Sequence, residues 1–125
     1  MKIFNSENSF EDKVNFVDEN NIFIGYDLKQ QCCEQAYYYI TDEIIKPEVF
    51  NGKNTKDYSE NSELLKDYIF DIENGITDIA DGIVIKLTSE GKKDLFLHLY
   101  NIHNGYYAHS YLIKNNDVII DEDKL

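Results

Sequence analysis

The chain has 125 residues, enough for one domain (1–125) built around one hydrophobic core. Apolar residues make up 42% of it, which argues against wholesale disorder. It contains 24 acidic residues and only 12 basic ones, all lysine, so the net charge is −12. Because nucleic-acid binding needs clustered cations, this balance argues against a DNA- or RNA-binding protein and favours an acidic protein with a basic partner.

The N-terminal sequence, the apolar runs and the cysteines indicate the cellular compartment. The start, MKIFNSENSF, lacks the apolar run of a signal peptide, and no segment approaches the roughly 20 apolar residues of a membrane span. We therefore expect a cytoplasmic protein. Cys32 and Cys33 are adjacent, which does not suit an ordinary disulfide, so we expect them to act as small buried apolar residues.

Short runs of β-branched and aromatic residues recur between turn signals, a pattern typical of β-strands. In chain order, we predict strands over 13–17, 22–28, 36–41, 68–72 and 82–87, then a hairpin over 97–113 and an edge strand over 118–120. The connections predicted are a turn at 18–21, an exposed loop over 46–62, one helical turn at 62–66, a turn at Asn74-Gly75 and a frayed acidic tail over 121–125.

Seven or eight short strands with little helix indicate a mainly β or β-rich α+β domain. The connections are too short for repeated helical crossovers, so we expect antiparallel pairing. The predicted architecture is an antiparallel sandwich or open barrel. Residues Tyr37, Tyr38 and Tyr39 alternate across their strand, so one or two of these rings must face outward.

The segment LHLYNIHNGYYAHSYLI, residues 97–113, predicts a hairpin with its turn at Asn104-Gly105. This register places Tyr100 opposite His109 and His98 opposite Tyr111. Side-chain alternation then defines a recognition face and a core face. The recognition face carries Phe96, His98, Tyr100, Ile102, Tyr107, His109, Tyr111 and Ile113. The core face carries Leu95, Leu97, Leu99, Asn101, Ala108, Ser110 and Leu112.

The hairpin leaves several chemical interpretations open. His98 and His109 with Asp27 or Glu34 resemble a two-histidine, one-carboxylate metal site, although no strict ligand motif is present. A His–Tyr acid/base pair and a Cys33 nucleophile are further alternatives. The simplest alternative is structural, with these side chains hydrogen-bonded to each other. The isolated glycines exclude phosphate-binding loops, and no serine nucleophile motif is present. We expect no catalytic residue, metal or cofactor.

Three motifs together resemble a family of small, mostly uncharacterised bacterial proteins. The motifs are Gly25-Tyr26-Asp27, Cys32-Cys33-Glu34 and His103-Asn104-Gly105-Tyr106-Tyr107 with His109 two residues on. The family has a GYD…CCE element followed by a HNGYY(S/G)H element. Its members often carry a tryptophan or other aromatic after CCE, where this chain has its tyrosine run. Some members are candidate immunity proteins of interbacterial toxin systems, such as contact-dependent growth inhibition.

The charge and the resemblance lead to the same expectation of a non-enzymatic immunity protein that binds and neutralises a basic toxin, most simply a nuclease. A phage or mobile-element anti-defence protein and a small enzyme using the His/Tyr face are the alternatives. Pairing of an edge strand with a partner, or with a second copy in a homodimer, stays open. The residues expected to contact the partner are Asp27, Glu34, His98, Tyr100, Tyr107, His109 and Tyr111.

Overall fold

The computed structural model describes residues 1–7, 12–29, 35–50, 55–102 and 109–125. Within these ranges the chain forms ten strands and one short helix. They are β1 (Lys2–Glu7), β2 (Asp12–Val17), β3 (Ile22–Asp27), β4 (Gln35–Thr41), α1 (Ser62–Leu65), β5 (Ile69–Phe70), β6 (Ile76–Ile79), β7 (Gly82–Thr88), β8 (Leu95–Ile102), β9 (Ser110–Asn115) and β10 (Val118–Lys124).

The strands form two antiparallel sheets, which confirms the predicted β-rich class. Sheet I has the order β1-β2-β3-β9-β10. Sheet II has the order β4-β8-β7, and the far side of β7 is shared by β5 at one end and β6 at the other. Neither sheet closes into a barrel, so the sandwich alternative is the one adopted.

The core lies between the sheets and follows the predicted alternation closely in β8. Leu95, Leu97 and Leu99 are fully buried against the core, as are Ile24 and Ile113 from sheet I. Each such side chain contributes roughly 1.5–3 kcal/mol relative to an exposed one. The hydrophobic effect therefore fixes which face of each central strand turns inward.

The predicted hairpin of residues 97–113 is wrong. Strand β8 lies between β4 and β7 in sheet II, whereas β9 lies between β3 and β10 in sheet I. Both edges of each strand are therefore occupied by other strands, and the chain crosses from one sheet to the other between them. The expected turn, Asn104-Gly105, lies outside the described residues.

This crossing reverses the expected orientation of β9. Tyr111 and Ile113 face the core, while Ser110 is exposed and Leu112 lies on the outer face. The hairpin register had assigned Ser110 and Leu112 to the core because it matched them with the leucines of β8. Once β9 belongs to the opposite sheet, that match no longer determines its inner face.

Other element boundaries also differ from the predictions. Strands β1 and β6 were not predicted, and β5 spans only two residues. The expected frayed tail is part of β10, and Leu125 exchanges backbone hydrogen bonds with His109 at 2.8 and 3.0 Å. The segment predicted as an exposed loop is anchored by buried Pro47 and Tyr58. Residues 51–54 of that segment lie outside the described residues.

Three hairpins turn on a polar residue with positive φ. Asn21, Asp81 and Asn116 have φ values of 61°, 65° and 55°. Asn and Asp tolerate this left-handed region better than most residues, which is why these connections can be short. Among the helices of the described ranges, none has the length and apolar character needed to cross a bilayer.

Candidate functional site

One end of the sandwich is tied together by residues from both sheets. Asn101, at the end of β8, donates its backbone N–H to the Asp81 carbonyl at 2.8 Å, and its side-chain amide donates to the Leu125 carbonyl at 3.0 Å. The Tyr26 hydroxyl donates to the Tyr100 carbonyl at 2.7 Å. These bonds join the end of β3, the end of β8 and the end of β10, so this end is a defined surface.

His109 is a buried part of this end. Its Nδ1 lies 2.7 Å from the Asp27 carbonyl and 3.8 Å from the Asp27 carboxylate. Because a carbonyl can only accept, Nδ1 carries a proton and donates it. The imidazole therefore fixes the end of β3 against the residue that precedes β9. Its side chain is 2% exposed, while that of Asp27 is 31% exposed, so of the two only Asp27 offers surface to a partner.

His98 lies in sheet II, on the face turned away from the core, and is fully buried. Its Nε2 accepts the Ile45 backbone N–H at 3.1 Å, and its Nδ1 lies 3.0 Å from the Phe96 carbonyl. This pair of partners requires the neutral tautomer with the proton on Nδ1. Burial lowers the pKa of His98 to about 4, which agrees with a neutral imidazole.

A chain segment covers this face of sheet II. The Tyr39 ring stacks between Phe50 and His98, with centroid distances of 4.2 Å on each side. The Tyr39 hydroxyl donates to the Ile45 carbonyl, and burial raises its pKa. Since Ile45 is held through both its N–H and its carbonyl, the segment around it is fixed over the aromatic rings. We name Phe50, Tyr39 and His98 the aromatic stack.

The tyrosines at the end of the same face are not covered in this way. Tyr37 is 50% exposed and Tyr100 is partly exposed, with ring centroids 6.4 Å apart. Tyr100 lies beside Gly82 in the neighbouring strand, where a Cβ atom would collide with the Leu99 carbonyl and with Tyr100 itself. Glycine thus allows the Tyr100 strand to approach β7 closely. We name Tyr37 and Tyr100 the tyrosine ledge.

The negative charges of three carboxylates act on Tyr111, a buried residue of β9 at this end of the sandwich. The Tyr111 hydroxyl donates to Asp121 at 3.3 Å. Burial, and then the charges of Asp121, Asp123 and Asp78, raise the pKa of Tyr111 to about 12. Asp121 and Asp123 come from β10 of sheet I, and Asp78 comes from β6 of sheet II. We name Asp78, Asp121 and Asp123 the acidic seam.

The acidic seam carries uncompensated negative charge. Among the residues that the structure describes, lysines form ion pairs with Glu63, Asp94, Asp67 and Asp42, and with no member of the seam. Asp78 and Asp123 are exposed. The seam can therefore accept hydrogen bonds from a lysine or arginine of another molecule and form ion pairs with it.

The residues expected to contact a partner are brought together only in part. Asp27, Tyr100, His109 and Tyr111 converge at the tied end of the sandwich, but Tyr111 and His109 are buried there. His98 lies in the aromatic stack. Glu34 and Tyr107 lie outside the described residues, as do Cys32 and Cys33. A role in binding stays a prediction for each of these positions.

The expected pairing of His98 with Tyr111 and of Tyr100 with His109 is wrong. His98 pairs with Tyr39 and Val84, and Tyr111 pairs with Tyr26 and Asp123. The two histidines belong to different sheets, so the metal and acid/base alternatives lose the geometry that motivated them. No group of three or more His, Cys, Asp or Glu side chains suited to a metal occurs within the described ranges.

Sequence reasoning missed the acidic seam. Asp78 lies in β6, which was not predicted, and Asp121 and Asp123 were assigned to a frayed tail. The alternation of Thr77, Asp78 and Ile79 was a weak strand signal that the neighbouring turn residues obscured. The tyrosine run predicted that one or two of its three rings face outward, and the structure places Tyr37 and Tyr39 on the outer face of sheet II, with Tyr37 exposed. Comparison with known protein families, curated proteins and solved structures found no match.

Proposed function

We propose that this chain is a cytoplasmic immunity protein that binds and neutralises a basic toxin, with a nuclease domain as the toxin class. The acidic seam is the observation that carries the proposal. Three carboxylates from two sheets act on Tyr111 without a described lysine partner, and only Asp121 is hydrogen-bonded to its hydroxyl; this accumulation of like charge is unfavourable for the isolated protein. A cationic surface brought against the seam relieves this repulsion.

A nuclease supplies such a surface, because it holds its substrate's phosphates with lysine and arginine side chains. An acidic protein that covers this surface competes directly with the nucleic acid. The net charge of −12 also accelerates the encounter, since complementary fields steer two proteins together.

The tyrosine ledge offers a less polar contact near the seam, on the outer face of sheet II. A row of paired residues leads from Tyr37 through Tyr100 and Gly82 to Ile79, which is next to Asp78. Three inter-strand steps span roughly 14 Å, within the reach of an ordinary protein interface. Tyrosine is favoured at the centre of interfaces, so we assign the ledge to anchoring and the seam to steering and charge recognition.

The direct test is protection of living cells. The C-terminal domain encoded by the gene immediately upstream is expressed with and without this protein, and survivors are counted. Rescue together with co-purification at one-to-one stoichiometry supports the proposal. Toxicity without rescue removes that neighbour as the target and moves the anti-defence alternative ahead.

A charge-matched pair of variants tests the seam itself. The first carries Asp78→Asn, Asp121→Asn and Asp123→Asn. The second carries Glu19→Gln, Glu60→Gln and Glu90→Gln at exposed positions elsewhere, so both change the net charge equally. We expect the first to slow association with the toxin domain about tenfold at low salt and to weaken its salt dependence, with a smaller effect of the second. Equal slowing would show that only net charge matters and would contradict a localised site.

A further inference from the structure

The four sheet edges of this fold differ in how they are protected. Helix α1 packs beside β1. The edge of β4 is capped by Tyr58, whose N–H donates to the Ile40 carbonyl at 2.8 Å, and by Asp57, which accepts the Ile40 N–H at 3.1 Å. Strands β5 and β6 are only two and four residues long. Coverage and shortness are two ordinary ways of preventing unwanted strand pairing.

Among the described residues, neither cover nor shortness protects the edge formed by β10, and one irregularity, a register shift between Ile119 and Asp121, interrupts its pairing with β9. This strand has seven residues, and no described residue pairs with its outer side. Val118, Ile119 and Ile120 are 69, 54 and 43% exposed. A run of three exposed apolar residues on a long edge strand is the feature that natural sheets normally avoid, and it marks a site where another strand can add.

The backbone of β10 presents hydrogen-bonding groups to this edge. His109 and Leu125 exchange both of their backbone hydrogen bonds, so they form a bonded pair of the β9–β10 ladder. Antiparallel pairs alternate, so Asp123 and Asp121 bond to β9 as well, while the N–H and carbonyl groups of Glu122 point outward. The carbonyl of Lys124 also points outward, but its N–H already donates to the Asp123 carboxylate at 2.9 Å. A partner strand can pair with those groups without disturbing sheet I.

The charge of β10 and the preceding turn indicates what kind of strand can pair with this edge. Residues 117–124 include four acids, Asp117, Asp121, Glu122 and Asp123, and one base, Lys124. A second copy of β10 would bring these like charges together across the new pair, which is unfavourable. A segment with basic side chains opposite the acids and apolar side chains opposite Val118–Ile120 is complementary in both respects.

We propose that the outer edge of β10 is the docking site for an extended basic segment of a partner protein, which adds to sheet I as a further strand. The inference rests on the proposed function for the basic character of the partner. It adds that recognition is made by the backbone and that the basic side chains of the new strand lie beside the seam residues Asp121 and Asp123.

Two variants at one position separate backbone pairing from charge. Glu122→Pro removes an outward N–H, which an edge strand tolerates, and also removes the charge. Glu122→Gln removes only the charge. We expect Glu122→Pro to bind the upstream-encoded toxin domain about tenfold more weakly than Glu122→Gln, the equivalent of one lost hydrogen bond. Circular dichroism and thermal unfolding verify that both variants are folded.

A second pair of variants tests the apolar part of the edge. Ile119→Lys places a positive charge among the exposed apolar residues and should reduce binding, whereas Val49→Lys makes the same kind of change at an exposed position outside both sheets. Val49→Lys should bind like the wild-type protein. Equal effects of the two substitutions would contradict docking at β10.

Hydrogen exchange of the backbone amides, measured on the full chain, then tests docking at the β10 edge directly. Binding of the toxin domain should slow exchange at the Glu122 amide. If the toxin domain binds but exchange there is unchanged and the two Glu122 variants bind equally, the β10 inference is overturned while the proposed function stands.

If the toxin domain does not bind the wild-type protein, the proposed function loses that target and a peptide probe decides the inference. A short peptide of alternating lysine and valine should slow exchange at the Glu122 amide, and the same peptide with glutamate in place of lysine should not. Equal effects of the two peptides, or no effect of either, would overturn it.

Discussion

At position 98 a histidine serves as a neutral hydrogen-bonding group within a stack of aromatic rings. Its two nitrogens are satisfied by the Phe96 carbonyl and the Ile45 N–H, and Tyr39 covers one face of the ring. A protonated imidazole could not accept the Ile45 bond and would carry a buried charge. The residue that first suggests recognition or catalysis is therefore a fixed part of the fold.

The lowered pKa of His98 predicts a specific pH dependence of stability. Between the unfolded value of 6.5 and the folded value of about 4, the unfolded chain binds a proton that the folded chain does not. The stabilisation is thus complete above pH 6.5 and is lost as the pH falls towards 4. We expect the wild-type protein to lose about 2 kcal/mol more than His98→Gln between about pH 7.5 and pH 5, measured by urea unfolding.

The comparison with His98→Gln separates this histidine from the carboxylates, which titrate in both proteins. Parallel stability curves for the two proteins over this pH range would contradict the assignment of a neutral, buried imidazole.

Among the connecting elements, the turn between β2 and β3 joins the two sheets. Asp18 is buried, and one of its carboxylate oxygens accepts the backbone N–H groups of Asn20 and Ile22, both at 2.9 Å. The other oxygen accepts the N–H of Phe70 in β5 at 2.9 Å. A residue that sequence reasoning placed in an ordinary turn therefore also connects sheet I to sheet II.

Replacing Asp18 with alanine should destabilise the protein strongly, because three backbone donors lose their acceptor and at least two of them are buried. We expect Asp18→Ala to lower the free energy of unfolding by about 3 kcal/mol or more. Asp117→Ala is the matched control, since Asp117 is an exposed residue of the β9–β10 turn. It should change stability by less than about 0.5 kcal/mol. Denaturant unfolding measures both, and similar losses would contradict the connecting role of Asp18.

Over the whole molecule, 24 acids against 12 lysines oppose compaction through charge repulsion. Salt screens this repulsion, so the protein should become more stable as salt is added. We expect the melting temperature to rise by about 4 °C between low and physiological ionic strength, equivalent to roughly 1 kcal/mol. Calorimetry with sodium chloride measures the shift.

The triple variant Asp78→Asn, Asp121→Asn, Asp123→Asn sharpens this test. It should melt higher than the wild-type protein at low salt and gain less from added salt, because the seam concentrates the repulsion. A melting temperature that is constant or falls with salt would show that the acids are compensated within the fold.

The local features of this protein are readable from its amino-acid sequence. Runs of β-branched and aromatic residues between turn signals located β2, β3, β4, β7 and β8. Period-two alternation identified the inward leucines of β8, because a strand's two faces are fixed by backbone geometry. Turn residues placed the β2–β3 and β9–β10 connections, since Asn and Asp tolerate positive φ. The excess of acids was likewise readable from composition alone.

Which strands pair and which polar side chains are buried depends on contacts between distant parts of the chain, and these became visible only in the tertiary structure. Local pattern cannot distinguish a hairpin partner from a strand in the opposite sheet, so β8 and β9 were paired incorrectly and the inner face of β9 was reversed. The same long-range arrangement buried His98 under the segment around Ile45 and placed Tyr111 within the influence of the charges of Asp78, Asp121 and Asp123. These contacts join residues far apart in the chain, and only competition among all strands for pairing and burial selects them.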